Sequence, residues 1–425
     1  MRYLIAGAGP AGVVAAETLR RADPQATVRL FCGEQEPVYS RMAIPYLLAH
    51  KIDERGTWLR EPGHFEALGI ELVHQRIESV EWDTHTVRRA DGQREHYDRL
   101  LIATGARPAT PPVPGMDLPG VRHCWTLGDA RAIAARARPG SRVVLMGAGF
   151  IGCIILEALV LRGVRLTVIE AEDRMVPRMM DATGGAMLQA WCERKGVRVH
   201  TATQVLGVER AGSDTLAVHC EHGAVHPAEL LVVATGVLPN LDLVADGTRL
   251  SLETGRGIRV DPWQRSSDPD VFAAGDVCES VDWYSGERAV YAIQPAAVEQ
   301  GRIAALNMCG RPVRYAGALP MNILDTLGLV TVSFGHWAGV PGGESVRRAE
   351  PGRSRYLRLE FDERDRLVGA IVVGLPEHVG VLRGLLQRRA PLGAWKARLA
   401  RSPTRIAEAF VACTATTGLG DAASP

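Results

Sequence analysis

Two stretches of the chain repeat one order of apolar and polar positions. Each begins with a short apolar segment and a glycine-rich turn, and continues with a helical pattern and a second apolar segment. The first stretch comprises residues 2–6, 13–21 and 27–31, and the second comprises residues 142–146, 154–162 and 165–169. This order predicts a parallel βαβ unit. The chain is therefore predicted to contain the same type of domain twice.

Further segments extend both repeats and then give way to a different pattern. Residues 99–105 and 230–236 are apolar and both end in Ala-Thr-Gly, which predicts a buried strand closing each repeat. The proline-rich residues 107–114 predict a crossing between domains. From residue 315 onward, two strand patterns precede a helical one, at residues 356–359, 367–373 and 378–387. This last part is predicted to be an α+β domain.

The glycine-rich turns have the spacing of a dinucleotide-binding fingerprint. They read Gly7-Ala8-Gly9-Pro10-Ala11-Gly12 and Gly147-Ala148-Gly149-Phe150-Ile151-Gly152. In such a motif the first glycine permits the tight turn, the second lets phosphates approach the backbone, and the third lets the helix pack on the strand. The predicted fold is therefore α/β, with two Rossmann-like dinucleotide-binding domains and a C-terminal α+β domain.

An acidic residue is expected about 20 residues after each motif, where it binds the ribose hydroxyls of the nucleotide. In the second repeat this residue is Glu170. A carboxylate there favours NADH over NADPH, because a 2′-phosphate would meet a negative charge. Arg174 is close enough in sequence to leave NADPH open. In the first repeat the position holds Cys32, and Glu34 is the candidate acid.

Composition narrows the possible partners and locations. The 425 residues are 46% hydrophobic and 23% charged, with a formal net charge of +1, which is typical of globular proteins and gives no overall attraction to nucleic acid. No apolar run reaches the 18 or so residues of a membrane span, and the start resembles no signal peptide. We expect a cytoplasmic protein without a membrane span. The eight cysteines are scattered singly, so no metal site is predicted.

A further motif, at residues 270–277, together with the two fingerprints resembles a known family. With its segment Asp270-Val271-Phe272-Ala273-Ala274-Gly275-Asp276-Val277, the chain resembles the pyridine nucleotide-disulfide oxidoreductase superfamily over almost its whole length. It is most similar to the group of NADH oxidases, rubredoxin and ferredoxin reductases and nitrite reductase flavin subunits. The resemblance implies that Asp276, beside Gly275, accepts hydrogen bonds from the ribityl chain of FAD. Residues 294–297 should begin the helix that faces the flavin pyrimidine.

The resemblance also implies that the NAD(P)H domain is inserted in the FAD domain. Residues 1–110 and 241–312 then form the FAD domain, residues 111–240 the NAD(P)H domain, and residues 313–425 a dimerisation or docking domain. By the same resemblance, the first fingerprint is expected to bind FAD and the second to bind NADH. The other implied positions are Thr104, Gly105 and Arg107 in a turn beside FAD, Ile77 beside the adenine, and Gly236 and Asn240 in the closing strand of the nucleotide domain.

The chain departs from the family in the loop under the isoalloxazine ring. Thiol-using relatives place a cysteine where this chain has Met42, and a thioether cannot form a thiolate. Ferredoxin-reductase-like members pair a lysine with a glutamate where this chain has Tyr46 and Ile154. Arg41 remains as a candidate contact to FAD. No catalytic side chain is identified, and the hydride step requires no acid–base residue.

These features predict an FAD flavoprotein that oxidises NAD(P)H, with NADH preferred, by hydride transfer to flavin N5. The electrons would pass to a separate acceptor, for which an iron–sulfur or rubredoxin-type protein is the leading hypothesis. Two alternatives stay open: an NADH oxidase that uses oxygen, and a non-catalytic redox-sensing subunit that binds FAD and NADH. A homodimer or a subunit of a redox complex is expected.

Overall fold

A computed structural model describes residues 1–244 and 256–415 of the chain. Residues 245–255 of the predicted FAD domain and 416–425 of the predicted C-terminal domain lie outside the described part. The chain divides into two compact units. The first comprises Met1–Ala109, Trp125–Leu127 and Val237–Pro320, and the second comprises Thr110–Cys124, Gly128–Gly236 and Met321–Pro425. The predicted boundaries of three domains remain a prediction.

The first unit is built on a five-stranded parallel sheet. Its strands, in spatial order, are Val271–Ala273, Arg99–Ile102, Arg2–Ala6, Thr27–Phe31 and Glu71–Val73. Tyr3 and Ile5 of the central strand pack into one hydrophobic cluster, whereas Leu4 and Ala6 pack into another. Both faces of the sheet are therefore buried, which is why its strands are almost continuously apolar in sequence.

Two long helices cover the first unit's sheet on one side. The first fingerprint helix, Pro10–Ala22, packs against the closing helix, Gln294–Met308, through small residues of the shared cluster. The start of the closing helix at Gln294 confirms the predicted position. The unit's shorter helices are Ile44–Leu48 and His64–Ala67. Its small sheets contain Ile77–Glu81, Thr86–Arg89 and Arg94–His96; Ala106–Pro108 and Val237–Pro239; and Ile258–Arg259, Cys278–Val281 and Arg288–Ala289.

The second unit repeats the parallel βαβ arrangement, as predicted. Its sheet contains, in spatial order, Arg198–His200, Arg165–Ile169, Arg142–Met146, Leu230–Val233 and Val121–His123. The second fingerprint helix, Phe150–Leu161, follows the central strand. Further helices are Leu127–Arg136 and Ala182–Arg194, and a small antiparallel sheet contains Val205–Arg210, Leu216–Cys220 and Val225–Ala228.

The C-terminal part of the second unit is the predicted α+β structure. An antiparallel sheet contains, in spatial order, Met321–Thr326, Leu329–Gly335, Leu367–Val373, Arg355–Phe361 and Glu344–Glu350. Three helices follow it: Val379–Arg388, Ala394–Arg401 and Ile406–Ala415.

Asp181 connects this antiparallel sheet to the helix Ala182–Arg194. Its carboxylate caps the helix by accepting a hydrogen bond from the Gly184 N–H at 2.9 Å. The same carboxylate accepts hydrogen bonds from the hydroxyl of Tyr356 at 2.6 Å and from Nη1 of Arg358 at 3.0 Å. The Asp181 carboxylate therefore caps the helix and is also hydrogen-bonded to side chains of the antiparallel sheet.

Candidate functional site

The first fingerprint forms a tight turn between the central strand and its helix. Gly7 has a φ of +116°, and a Cβ on it would lie 2.2 Å from the carbonyl oxygen of Ala103. A Cβ on Gly12 would lie 1.9 Å from the carbonyl oxygen of Gly7. Beside Gly9, in contrast, no described residue other than its two chain neighbours has an atom within 4 Å of the position that a Cβ would take. A bound group can therefore approach the backbone at Gly9.

Two helix N-termini present backbone N–H groups at the fingerprints. The first fingerprint helix begins at Pro10, directly after Gly9, and the second begins at Phe150, directly after Gly149. Within the described chain no side chain caps either N-terminus, and neither first turn holds an acidic residue. Since a helix N-terminus carries a partial positive charge and unpaired donors, both turns suit a pyrophosphate.

The second fingerprint has the same geometry, and it explains the repeated Ala-Thr-Gly segments. Gly147 has a φ of +102°, and a Cβ on it would lie 2.5 Å from the carbonyl oxygen of Ala234. Ala234 stands at the same place in its Ala-Thr-Gly segment as Ala103 does in the first. In both units the alanine carbonyl thus packs against the first glycine of the turn. The third glycine, Gly152, packs against the Gly147 carbonyl.

Glu170 lies at the end of the second strand, where the sequence places the ribose-binding acid. Its side chain is buried, with a relative exposure of 8%. One carboxylate oxygen accepts a hydrogen bond from the Ala148 N–H at 2.6 Å, and the other accepts one from the Glu172 N–H at 2.9 Å. Glu170 therefore contacts the fingerprint turn itself. A carboxylate oxygen has a second lone pair, which a ribose hydroxyl could use.

Arg174, whose position in the sequence kept NADPH as an alternative to NADH, makes its hydrogen bonds and its ion pair within its own loop. Its Nε donates to the carbonyl oxygen of Met180 at 2.9 Å, and its guanidinium pairs with Asp173. A further hydrogen bond reaches the carbonyl oxygen of Pro177. Arg174 therefore has partners other than a nucleotide phosphate.

Asp276 follows the edge strand Val271–Ala273 of the first unit's sheet. Burial raises the pKa of its carboxyl from 3.8 to about 6, although the positive charge of Arg41 opposes the rise. In the part of the chain that the structure describes, no hydrogen bond to this carboxylate is found. A half-buried carboxylate without donors of its own suits the hydroxyl groups of a ribityl chain.

Glu34 and Arg41, both predicted to contact FAD, contact one another. Nη2 of Arg41 lies 2.5 Å from Oε1 of Glu34, and the hydroxyl of Tyr39 donates to Oε2 of Glu34 at 2.6 Å. Nη1 of Arg41 donates to the carbonyl oxygen of Trp125 at 2.7 Å, and the guanidinium lies over the Trp125 ring. Tyr39 and Trp125 were not predicted as site residues. Trp125 is far from this loop in sequence, so no local signal could reveal it.

The turn at Thr104 and Gly105 is fixed by Asn240. The hydroxyl of Thr104 donates to the carbonyl oxygen of Asn240 at 3.0 Å, and Nδ2 of Asn240 returns a bond to the carbonyl oxygen of Thr104 at 2.8 Å. The Asn240 N–H also bonds to the carbonyl oxygen of Gly105. Arg107 is exposed and donates to Oδ1 of Asn240 at 3.2 Å. Asn240 thus joins three residues predicted to lie beside FAD.

The remaining predicted residues lie in distinct local environments. Ile77 is buried at the start of the strand Ile77–Glu81, and Gly236 has a φ of +118° at the end of its segment. Met42 and Tyr46 are 44% and 52% exposed, and Ile154 is half-buried in the second fingerprint helix. The roles predicted for these positions remain predictions.

The eight cysteines are poor candidates for thiol chemistry. Burial raises the pKa of every one of the eight thiols, to about 12 for Cys124 and Cys192. A thiol reacts as a thiolate, so a raised pKa lowers its reactivity at neutral pH. Among the described residues there is also no group of three or more His, Cys, Asp or Glu side chains arranged to hold a metal ion.

Comparison with known proteins places the chain in a family. The sequence profile of the pyridine nucleotide-disulphide oxidoreductases matches residues 1–301. The chain belongs to this family. It is 29% identical to the NADH-dependent phenylglyoxylate dehydrogenase subunit epsilon of Aromatoleum evansii over 416 residues, which are 97% of this chain and 98% of that one. As a pyridine nucleotide-disulphide oxidoreductase it is an FAD-dependent NAD(P)H oxidoreductase, and its cofactors are FAD and NADH.

Two more relatives agree with this assignment. The oxidoreductase is 31% identical to the ferredoxin–NAD(+) reductase component of the anthranilate 1,2-dioxygenase system of Burkholderia cepacia, over 90% of this chain and 93% of that one. Among solved structures, the covalent putidaredoxin reductase–putidaredoxin complex matches with a TM-score of 0.87 and 25% identity, over 97% of this chain and 99% of that one.

The residues of the oxidoreductase fit both cofactors. For FAD, the open space beside Gly9 and the Asp276 carboxylate meet the needs of a pyrophosphate and a ribityl chain. For NADH, the open space beside Gly149 and the Glu170 carboxylate meet those of a pyrophosphate and a ribose. Within the described residues no helix is long and apolar enough to cross a membrane.

Proposed function

We propose that this oxidoreductase takes electrons from NADH through FAD and delivers them to a separate protein that carries an iron–sulfur or rubredoxin-type centre. The observation that carries this proposal is the absence of a thiol at position 42, where thiol-using relatives place their cysteine. Burial raises the pKa of the eight cysteines that the chain does have. In this chain, no reactive thiol is therefore present to receive electrons from the flavin. An external acceptor receives them instead.

Two relatives of nearly equal length support an external acceptor. One is named as a subunit of an NADH-dependent dehydrogenase, and the other as the ferredoxin reductase component of a dioxygenase system. Both names describe proteins that work with other components. We propose that the present chain is likewise one component of a larger redox system, in the cytoplasm.

In this proposal the protein binds and orients its cofactors. FAD supplies the chemistry of accepting hydride and releasing electrons singly or in pairs. The first fingerprint holds the pyrophosphate of FAD, and Asp276 holds its ribityl chain. The second fingerprint and Glu170 hold NADH, and Arg174 is bonded in its own loop, which supports the preference for NADH over NADPH.

The acceptor is proposed to dock on the C-terminal helices. Residues 378–407 contain seven arginine and lysine residues and no aspartate or glutamate, so the rest of the chain carries a net negative charge. All six arginines among them are exposed, namely Arg383, Arg388, Arg389, Arg398, Arg401 and Arg405. The apolar faces of these helices are buried, at residues such as Leu382, Leu386 and Leu399. Arg405 pairs with Glu408, and Lys396 pairs with Asp365 and Glu344. The other five arginines leave an excess of positive charge on the exposed surface, which complements an acidic protein.

The proposed function is tested by the fate of the electrons. The purified FAD-loaded protein is mixed with NADH anaerobically in a stopped-flow instrument, and the reduced flavin is then mixed with air-saturated buffer, a plant-type ferredoxin or a rubredoxin. We expect flavin reduction at about 1–1,000 per second, slow reoxidation by oxygen and fast reoxidation by an iron–sulfur protein.

The alternatives predict different results. Rapid NADH consumption in air, unchanged by added carrier proteins, would support an NADH oxidase and overturn the proposal. Flavin reduction slower than about one per second would support a redox-sensing subunit instead.

A further inference from the structure

Gln300 is a fully buried amide in the middle of the closing helix, with a relative exposure of 1%. Its Oε1 accepts a hydrogen bond from the Gly275 N–H at 2.8 Å and lies 3.4 Å from Sγ of Cys278. Its Nε2 donates to the hydroxyl of Ser280 at 2.9 Å. Both ends of the amide are therefore bonded to the same short stretch of chain.

This stretch is the turn that carries Asp276. Gly275, whose φ is +82°, directly precedes Asp276, and its carbonyl oxygen accepts a hydrogen bond from the Cys278 N–H at 3.0 Å. Gln300 thus bonds to the turn on the N-terminal side of Asp276, at Gly275, and beyond its C-terminal side, at Ser280. Gln300 is therefore the side chain that bonds to the backbone just before Asp276 and to Ser280 beyond it, in addition to the backbone hydrogen bond from Cys278 to Gly275.

The next residue of the closing helix contacts the first fingerprint. A Cβ on Gly301 would lie 2.3 Å from the carbonyl oxygen of Ala11, so only glycine allows the two helices to approach this closely. A Cβ on Gly275 would in turn lie 3.3 Å from the Cβ of Ala11. One turn of the closing helix therefore touches both the fingerprint and the Asp276 turn.

We propose that Gln300 is a positioning residue for FAD. It fixes the Asp276 carboxylate relative to the fingerprint at Gly9–Ala11, so that the ribityl hydroxyls and the pyrophosphate of one FAD molecule are bound together. Gly301 determines how closely the two helices approach, and Gln300 holds the turn around Asp276 in place. This inference rests on the proposed role of Asp276 in holding FAD.

The test is Gln300→Met, which keeps the length of the side chain and removes its amide. The FAD-free protein is titrated with FAD, and binding is followed by the quenching of flavin fluorescence. We expect the dissociation constant to rise about 10- to 100-fold, because a buried backbone N–H loses its acceptor and the Asp276 turn is released. The visible absorption bands of bound FAD should also shift.

Asn307→Leu provides a control in the same helix. Asn307 ties the closing helix to Trp263 and Val313 by hydrogen bonds of 3.1, 2.8 and 3.0 Å, and none of these partners lies in the Asp276 turn. This variant should lower the melting temperature but leave the FAD dissociation constant within about threefold of the wild-type value. If both variants weaken FAD equally, or if Gln300→Met binds FAD as the wild type does, the inference is wrong.

A second pair of variants separates the possible failures. Gln300→Asn is a milder change, which provides the test if Gln300→Met does not fold. Its shorter amide cannot reach both Gly275 and Ser280, so we expect the dissociation constant for FAD to rise by a smaller factor. Asp276→Ala tests the proposed site itself. If Asp276→Ala loses FAD and neither Gln300 variant does, the role of Gln300 fails and the site stands; if Asp276→Ala binds FAD normally, the site fails.

Discussion

Asp276 illustrates, at the scale of the residue, how a group proposed to bind FAD destabilises the fold when it is charged. Its carboxyl has a pKa of 3.8 when unperturbed and about 6 in the folded protein, because its partial burial disfavours the charged form. The folded protein therefore binds this proton more tightly than the unfolded chain does. As the pH rises through the window from about 4 to 6, ionisation of Asp276 removes stability, and the full cost of at most about 3 kcal/mol is present above it.

The substitution Asp276→Asn is therefore expected to stabilise the FAD-free protein. Its melting temperature should exceed that of the wild type at pH 8, and the difference should shrink as the pH falls and vanish near pH 4. Thermal unfolding of both proteins between pH 4 and 8 measures this. A difference that does not change with pH would show that burial of the charge is not the cause.

Glu170 is expected to control the choice of nucleotide. In Glu170→Ala the proposed ribose acceptor is lost, and the N–H groups of Ala148 and Glu172 lose their partner. We expect the KM for NADH to rise at least about 10-fold and the KM for NADPH to rise less, because no carboxylate then repels a 2′-phosphate. Steady-state rates with menadione as the acceptor give both values.

Arg174→Ala is the matched control for that experiment. Its guanidinium bonds to Met180 and Asp173, so its loss should leave both KM values within about twofold of the wild type. A selective loss of NADPH binding in this variant would mean that Arg174 reaches the nucleotide.

At the scale of the element, each fingerprint turn contains glycines with different tasks. Gly147 is required by the fold, since a Cβ there would meet the Ala234 carbonyl at 2.5 Å and its φ is positive. Gly149 has open space around it, and its backbone is extended, with a φ of −71°. An added methyl group at Gly149 disturbs nothing in the described chain and can only obstruct what binds there.

Two alanine substitutions should separate these tasks. Gly149→Ala is expected to keep the melting temperature of the wild type and to raise the KM for NADH at least about 10-fold, whereas Gly147→Ala should lower the melting temperature as well. Both should keep bound FAD, because the first fingerprint is unchanged. Differential scanning fluorimetry, flavin absorbance and steady-state kinetics report the three quantities. Unchanged NADH kinetics in Gly149→Ala would contradict the proposed phosphate site.

The same elements show how far the sequence allows prediction. The strands Arg2–Ala6, Arg142–Met146 and Leu367–Val373 have the predicted bounds, because a buried strand is a short apolar run between breakers. Both fingerprint helices begin earlier than their apolar patterns suggest, at Pro10 and Phe150, because their first turns lie within the glycine motifs.

Other contacts depend on packing between distant parts of the chain. Trp125 and Gln300 contact the loops that are proposed to bind FAD, from positions that are far away in sequence, and nothing in their local pattern indicates it. Asn240 was predicted as a residue of the nucleotide domain, but its contact with Thr104 needed the folded structure. Long-range hydrogen bonds of single residues could not be predicted from the sequence pattern.

At the scale of the whole molecule, a net charge of +1 conceals a strongly cationic C-terminal segment. Arg398 and Arg401 are exposed on the helix Ala394–Arg401, and Arg398 also lies over the ring of Trp395 at 4.7 Å. Long-range attraction between such a segment and an acidic protein is screened by salt, with a Debye length of about 8 Å at physiological ionic strength. The ionic strength of the buffer therefore distinguishes docking from cofactor chemistry.

The double substitution Arg398→Ser and Arg401→Ser should weaken docking of an acidic iron–sulfur acceptor. We expect its KM to rise about 5- to 10-fold at low salt, and its dependence on salt to become weaker, with no change in NADH oxidation by menadione. Arg210→Ser, at an exposed arginine in a different part of the second unit, is the control and should behave as the wild type. Equal effects of both changes would argue against a docking surface on these helices.

The contacts of Asp181 have a consequence for recombination between relatives. Anyone who exchanges C-terminal segments in order to change the acceptor would separate Asp181 from Tyr356 and Arg358. A donor segment without these two side chains would leave the half-buried Asp181 carboxylate with only its helix cap, which lowers the stability of the chimera. Successful chimeras should therefore transfer residue 181 together with the sheet, so that the proposed acceptor surface is exchanged along with one residue of the predicted nucleotide domain.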